Sequence, residues 1–494
     1  MNADPALALP RASHPSLSVR DLLWVVAAVT GIEFIETGMV TFAAAPIMGG
    51  LGIDARGFAM AWTVYGVGAI FMLYKHQWVV ERIGYRNFIL ASLGVFALGA
   101  LLCATAGGPG QFTVGRALQG AAGATFFTAG RMQINRLPEA AHFSGLLTFI
   151  GTLLGSAAIA PVLAAGLMAA GGWQAVFWVM LPLAAGLAAF LAPRLPRDTV
   201  APEARSREHW GWLIGLVVAV FALQYSIQAL QFSLFSAPRP VLATAAVAIA
   251  ALSLFAARQW RREHPLIDYR RLFQQRYLLG ILFYFGGYFL IGLSGFLMPI
   301  LFQHGLGLDM GSTAWLLTGA MSCSVLAALA HASLARHWPR LRPFMLVGLA
   351  LICIGNLWLG LSAGTGDWQA LILPALLTGL ALPLYMGPVA FGTFVRIDPA
   401  VFSHAYQVKN IVRQLGLSSA ITSGSVLLEW RYATHLAPGS ARAEWTTLLH
   451  DSLATAPASP TSAALAQACA DAFTAAGALA GAIFLVVAVQ RAFR

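Results

Sequence analysis

Two carboxylic acids, Glu33 and Glu36, lie within a stretch from Leu22 to Ile47 that is otherwise apolar. Their three-residue spacing puts both on one face of a helix, and at about 1.5 Å of rise per residue the stretch is long enough to cross a bilayer. A charge at that depth costs about 3 kcal/mol or more, so an ionisable group there points first to function. The chemistry such acids offer is the uptake and release of protons. Arg116 is the basic residue nearest in depth: Glu36 falls about 21 Å from the inner end of the first span and Arg116 about 6 to 9 Å from the outer end of the fourth. A carboxylate beside an arginine stays ionised, whereas one alone in apolar surroundings keeps its proton. Two conformations that moved the acid between those surroundings, or that admitted a cationic or polar substrate competing for it, would link proton binding to movement. The alternative is that the acids pair with Arg116 only to fix helix packing.

Other chemistries find no residues to carry them. The only lysines, Lys75 and Lys409, lie in no Gly-rich phosphate loop, so ATP is excluded as an internal energy source. No His/Cys cluster has metal-ligand spacing and no Ser/His/Asp set sits in a credible loop, so neither an enzyme nor a metal site is expected. With no cofactor implied, a proton gradient remains as the driving force. A membrane receptor that binds without turnover, or a membrane enzyme, is the alternative from another class.

The elements that must position these residues are membrane helices. The chain has 494 residues, 59% of them hydrophobic and 10% charged, with a mean hydropathy of +0.73, a balance foreign to soluble folds. Apolar stretches of roughly 17 to 27 residues between charged or Gly/Pro-marked breaks give fourteen candidate spans. They begin near Leu22, Phe58, Phe88, Phe112, Phe143, Trp173, Trp210, Pro240, Tyr277, Ser312, Phe344, Trp368, Phe402 and Ala472. None alternates with period two, so the fold class expected is an all-α integral membrane protein and not a barrel.

The net charge of +11 would suit nucleic acid, but its placement follows topology. Most Lys and Arg fall on one side of the spans, with only Arg56, Arg239, Arg431 and Arg442 on the other. This places both termini in the cytoplasm and the lipid bilayer, rather than nucleic acid, among the partners. Lys75, Arg116, Lys409 and Arg413 lie within spans or near their ends. Cys103, Cys323 and Cys353 also fall in spans, and Cys469 is expected to face outward without a disulfide partner.

The spans divide into six, two and six. This predicts a cytoplasmic tail over 1–21, a six-helix bundle over 22–197, a linker with two additional helices over 198–262, and a second six-helix bundle over 263–494. A long outer loop is expected at about 431–471, with a short surface helix around Ala443 to Leu453.

Beyond these patterns the chain resembles the fourteen-span drug:proton antiporters of the major facilitator superfamily, of the EmrB and QacA type. Gln77-Trp-Val-Val-Glu81-Arg82-Ile-Gly84-Tyr-Arg86 is similar to the superfamily loop motif after the second span, with Gln77 for the first Gly and Glu81 for Asp. An acid and arginines at a helix end can form a charge lock that breaks as the halves rock. Arg116-Ala-Leu-Gln119-Gly120 matches R-x-x-Q-G of the fourth span, implicated by the resemblance in proton transfer. Ser156-Ala-Ala-Ile-Ala160-Pro161-Val-Leu-Ala164-Ala165 keeps the proline and small volumes of the antiporter signature but none of its glycines. Trp173 through Pro182, His264 through Phe273, and Val412-Arg413-Gln414-Leu415-Gly416 resemble further family segments. In the first span the family carries an Asp nine residues before a Pro. Here Thr37 holds that offset from Pro46, with Glu36 adjacent, so Glu33 and Glu36 both stay candidates for the proton carrier.

The resemblance implies a major facilitator fold in which two six-helix bundles alternate access around a cleft, with two extra central helices. It implies a bacterial inner-membrane exporter of small amphipathic drugs or metabolites, driven by protons. A proton-coupled importer or a narrow metabolite exporter is the alternative within transport. A periplasmic adaptor and an outer-membrane channel are implied as partners. Candidate substrate contacts in the cleft are Tyr65, Tyr288, Tyr385, Met386, Lys409, Asn410 and Arg413. Lys409 and Arg413, one turn apart, could attract an anion or pair with an acid elsewhere.

Overall fold

Long apolar stretches leave the backbone no partner but itself, and the chain answers with helices throughout. The computed structural model describes residues 18–53, 55–134, 136–195, 199, 210–233, 238–262, 265, 267–338, 340–398, 401–435 and 460–493, with no strand among them. The helices are α1 (Val19–Phe42), α2 (Ala44–Leu51), α3 (Ala55–Ile83), α4 (Tyr85–Ala104), α5 (Pro109–Ile134), α6 (His142–Gly171), α7 (Ala175–Trp178), α8 (Met180–Leu191), α9 (Trp210–Ser233) and α10 (Pro238–Trp260). They continue as α11 (Tyr269–Leu272), α12 (Gln275–Ile300), α13 (Met310–His337), α14 (Leu341–Ala363), α15 (Ile372–Phe394), α16 (Phe402–His435) and α17 (Pro460–Val489).

Among the described residues eleven helices are long and apolar enough to cross a membrane, against the fourteen spans expected. The stretches outside the eleven are α3, α5 and the short pair α7–α8. α3 and α5 are 29 and 26 residues long, but buried polar residues interrupt them: Lys75, His76 and Glu81 in α3, Arg116 and Gln119 in α5.

Two apolar cores organise the helices. One is built from α1, α3 to α5 and α6 to α8, around Phe88, Phe96, Phe112, Phe126 and Phe177. The other is built from α12 to α17, around Phe283, Leu297, Phe302, Tyr385 and Phe473. α6 packs on α13 where the two meet, and α9 packs against both α3 and α16. At that junction the Gln224 amide of α9 donates to the Ser418 hydroxyl at 3.0 Å, and Gly66 of α3 lies against the Gln224 and Gln414 side chains. α10 packs on α9 and shows its outer face, with Leu242, Val247, Ile249 and Leu254 exposed as lipid-facing residues would be.

Local rules set the ends. Gly84 alone joins α3 to α4 at φ +80, a backbone that L side chains rarely adopt. The Asp309 carboxylate caps α13 by accepting the Ser312 N–H at 3.0 Å, and hydrogen bonds from Ser312 hold it below the usual carboxylate range.

The expected loop at 431–471 is shorter in the structure. α16 runs on to His435 and α17 begins at Pro460, an Ala-rich segment with high helix propensity. Arg431 and Asp471 therefore lie on helices, joined by a 2.6 Å ion pair. His435 also meets the Asp471 carboxylate at 2.7 Å. The surface helix expected around Ala443 to Leu453 lies outside the described residues. Cys469, expected to face outward, is instead fully buried in α17 within the second core.

Candidate functional site

α1 comes close to α6 because both present small residues where they cross. A Cβ on Gly31 would touch the Ser156 side chain, and one on Gly38 would collide with that of Ala160. Ser156, Ala160 and Pro161 are all buried at this contact. The antiporter-like segment therefore acts as a close-packed seat for the turn of α1 that carries Glu33 and Glu36. On the other side, Gly120 of α5 lies against the backbone of Tyr65 in α3, where a Cβ has no room. That contact brings the Tyr65 ring beside Arg116, with 4.5 Å from the guanidinium carbon to the ring centroid. Trp62 lies over the same guanidinium at 5.0 Å.

The pairing suggested by depth is made. Arg116, 1% exposed, donates to the Glu36 carboxylate, which is 0% exposed. The same Arg116 Nη1 donates to Gln119 Oε1 at 2.8 Å. Thr37, at the family's acid position, reaches the second oxygen of Glu36 at 3.5 Å and lies 3.4 Å from the Tyr65 hydroxyl. Tyr65, Thr37, Glu36, Arg116 and Gln119 thus form one continuous polar path. Glu33, one turn earlier, is buried and outside that ion pair, and its Oε2 has no hydrogen-bond partner. The Glu33 side chain and the Tyr65 hydroxyl both border Gly123, which leaves them room.

The loop motif occupies a separate place at the end of α3. Arg82 Nη1 donates to the Trp78 carbonyl at 2.9 Å, with its guanidinium carbon 4.0 Å from the Trp78 ring centroid. Glu81 is buried and 4.0 Å from Arg82, and the Nε of Arg86 has no partner. Trp78 meets Trp210 of α9 edge-on at 5.6 Å, and the ammonium of Lys75 sits over the Trp210 ring at 3.6 Å. The motif is therefore tied to α9 as well as to α4.

Apart from Tyr65, which lies with Arg116 and Thr37, the substrate candidates separate into two groups. Tyr385 is fully buried in the second core and donates to the Phe283 carbonyl at 2.9 Å, and Met386 abuts Gly287 of α12; both knit α15 to α12. Tyr288, Lys409, Asn410 and Arg413 lie on α12 and α16, and Lys409 and Arg413 reach Phe127 of α5. Tyr288 stacks on Tyr284 with centroids 5.9 Å apart. The Lys409 ammonium lies over Tyr406 at 4.2 Å and over Phe127 at 4.9 Å, and Arg413 lies over Phe127 at 5.3 Å. Asn410 is buried with both amide atoms unpartnered.

Sequence reasoning missed the rings that join the halves. Phe127 of α5 stacks on Tyr406 of α16 at 6.0 Å with 13° between planes, while Phe34 of α1 meets Phe127 edge-on. The available signal was spacing: Tyr406, Lys409 and Arg413 recur at three and four residues, one face of a helix. Among the described residues no group of His, Cys, Asp or Glu could hold a metal ion.

The Major Facilitator Superfamily profile matches residues 26–420. The chain is similar to a protein provisionally named multidrug resistance protein MdtD from Salmonella paratyphi B, at 24% identity over 415 residues, 82% of this chain and 86% of the relative. Two solved structures share the fold: an auto-inhibited POT family peptide transporter (TM-score 0.61, 12% identity, 95% of this chain and 97% of the other), and the xylose transporter XylE from E. coli (TM-score 0.61, 11% identity, 96% and 98%).

Proposed function

This chain belongs to the Major Facilitator Superfamily, and from that premise we propose that it is a proton-coupled secondary transporter that exports small amphipathic molecules by alternating access. As a superfamily member it is a multi-pass membrane transporter for small substrates, not an enzyme. The coupling rests on one observation above all, the fully buried Arg116–Glu36 pair with Glu33 one turn away. Protonating Glu36 removes the charge that holds Arg116. The freed guanidinium remains beside Tyr65, Trp62 and Gln119, and the crossing of α1 with α5 is left to rearrange. Fourteen spans result if α3, α5 and α7–α8 cross alongside the eleven apolar helices.

Outward direction is supported by the likeness to a multidrug resistance protein. The absence of the antiporter glycines between Ser156 and Ala165 keeps an importer or a narrow metabolite exporter as the second reading. The arginine asymmetry supports cytoplasmic termini in a bacterial inner membrane, and a periplasmic adaptor and outer-membrane channel are the partners this reading implies. The test is flux in proteoliposomes under an imposed pH gradient. Wild-type protein is expected to move substrate with proton counterflow, while Glu36→Gln and Arg116→Ala abolish gradient-driven flux but leave substrate binding measurable. Flux unaffected in Glu33→Gln and Glu36→Gln would remove the proton-coupling role.

A further inference from the structure

The charges in the cleft do not balance. Arg116 is neutralised by Glu36, but Lys409 and Arg413 make no ion pair or hydrogen bond among the described residues, although Lys409 is 4% exposed. Arg131 lies in the last turn of α5, one turn beyond Phe127, whose ring carries Lys409 and Arg413, and Glu33 borders the same helix at Gly123. Among the described residues none of these three cations makes an ion pair. A buried cation without a counterion is expensive, and the neighbouring polar atoms do not relieve it. Both amide atoms of Asn410, the Oε1 of Gln407 and the Nε of Arg413 are themselves unpartnered.

Lys409 and Arg413 are surrounded by rings. Lys409 lies over Tyr406, Phe127 and Tyr284, the last at 5.6 Å, and Tyr288 extends the Tyr284 stack. Aromatic faces of this kind would suit a cationic ligand, but Lys409 already occupies them, and a second cation would meet three like charges.

We propose that this cluster anchors the substrate and that the substrate is an amphipathic organic anion, a compact aromatic carboxylate or its equivalent. Lys409 and Arg413 take the anionic group, Arg131 adds to the field, Asn410 supplies a polar contact, and the rings of Phe127, Tyr284, Tyr288 and Tyr406 receive the apolar body. The inference rests on the transporter reading for its cleft, but not on the direction of transport or on proton coupling.

The experiment is equilibrium binding of tritiated naphthoate to the full chain in lipid nanodiscs, with no gradient. Naphthylmethylammonium and naphthylmethanol serve as competitors with the same rings. Naphthoate is expected to bind saturably and to resist displacement by the ammonium. Lys409→Gln and Arg413→Gln should each weaken it by roughly ten- to a hundredfold, with Lys409→Arg restoring most of the affinity. Because Lys409→Gln removes an unpaired buried charge, its Tm should not fall, so lost binding reports the site and not the fold. Absence of saturable naphthoate binding, stronger binding of the ammonium, or wild-type affinity in both neutral variants would each overturn the proposal. Proton-driven flux of a cation without naphthoate binding would sink the anchor alone. Lys409-dependent naphthoate binding without gradient-driven flux would sink the coupling alone.

Discussion

Arg116 and Glu36 were legible as a pair because an ionisable residue at membrane depth is costly enough to stand out from a uniformly apolar background. The rings nearby were not, since Trp62 and Phe127 are residue types that fill any membrane helix. The pair also makes a prediction that separates packing from coupling. Arg116→Ala leaves the Glu36 carboxylate buried without a partner, a loss of about 3 to 5 kcal/mol, seen as a lower Tm of the full chain in detergent. Glu36→Gln strands the cation in the same way, though an amide can still accept from Arg116. The double variant Glu36→Gln/Arg116→Gln removes both charges, so its Tm should recover toward wild type while gradient-driven flux stays abolished. Recovery of flux along with stability would mean that the pair only holds helices together. The ring of Tyr65 is placed by Gly120 and its hydroxyl lies beside Thr37, so Tyr65→Phe is expected to keep binding and Tm while slowing flux. The measurement is the initial rate in proteoliposomes.

Helices carry the next level of specification. Their existence and order could be read from hydropathy, because backbone groups in lipid must bond within the helix. Their crossings could not, since these depend on which small residues happen to meet. The segment Ser156 to Ala165 resembled an antiporter signature stripped of its glycines, yet in the structure the glycines sit on the partner: Gly31 and Gly38 of α1 face Ser156 and Ala160 of α6. Close approach is thus preserved with the small residues exchanged between helices. Gly38→Ala should force α1 from α6 and cost about 1 to 3 kcal/mol by overpacking, with flux reduced because Glu36 moves against Arg116. Ala160→Gly in the same chain opens the space again and should restore both Tm and flux, a compensation that any cause remote from this crossing would not show. The ends of α16 and α17 were misread for a related reason. A polar, Ala- and Ser-rich stretch reads as a loop, but Arg431 and Asp471 satisfy one another across the two helices, so their charges do not mark a break.

For the whole molecule, the direction of transport depends on whether proton and substrate favour or exclude one another in the shared cleft. Glu33 borders Gly123 of α5 beside the Tyr65 hydroxyl, one turn from Phe127, whose ring carries Lys409 and Arg413 of α16. A proton on Glu33 removes the negative charge that competes for Arg413. An organic anion at Lys409 and Arg413 therefore binds more tightly when Glu33 is protonated and, by reciprocity, helps to keep the proton there. That sign is cooperative, so an exchanger of such an anion must carry its exchanged proton elsewhere. Glu36 meets that requirement, because its cation, Arg116, belongs to α5 and not to the α16 cluster. On the proposed reading the two acids of α1 have different tasks, Glu33 linked to substrate and Glu36 to the gradient. Naphthoate affinity in nanodiscs is expected to rise by about tenfold on acidification, a shift in line with one charge at a few ångströms in a protein interior. The titration is run above about pH 5 so that the ligand itself stays ionised. Glu33→Gln should bind tightly at every pH, whereas Glu36→Gln should retain the pH dependence of binding and lose gradient-driven exchange. A flat profile in wild type, or an unchanged slope in Glu33→Gln, would show that the acid facing Arg413 is not linked to the substrate and that α1 does not divide its tasks in this way.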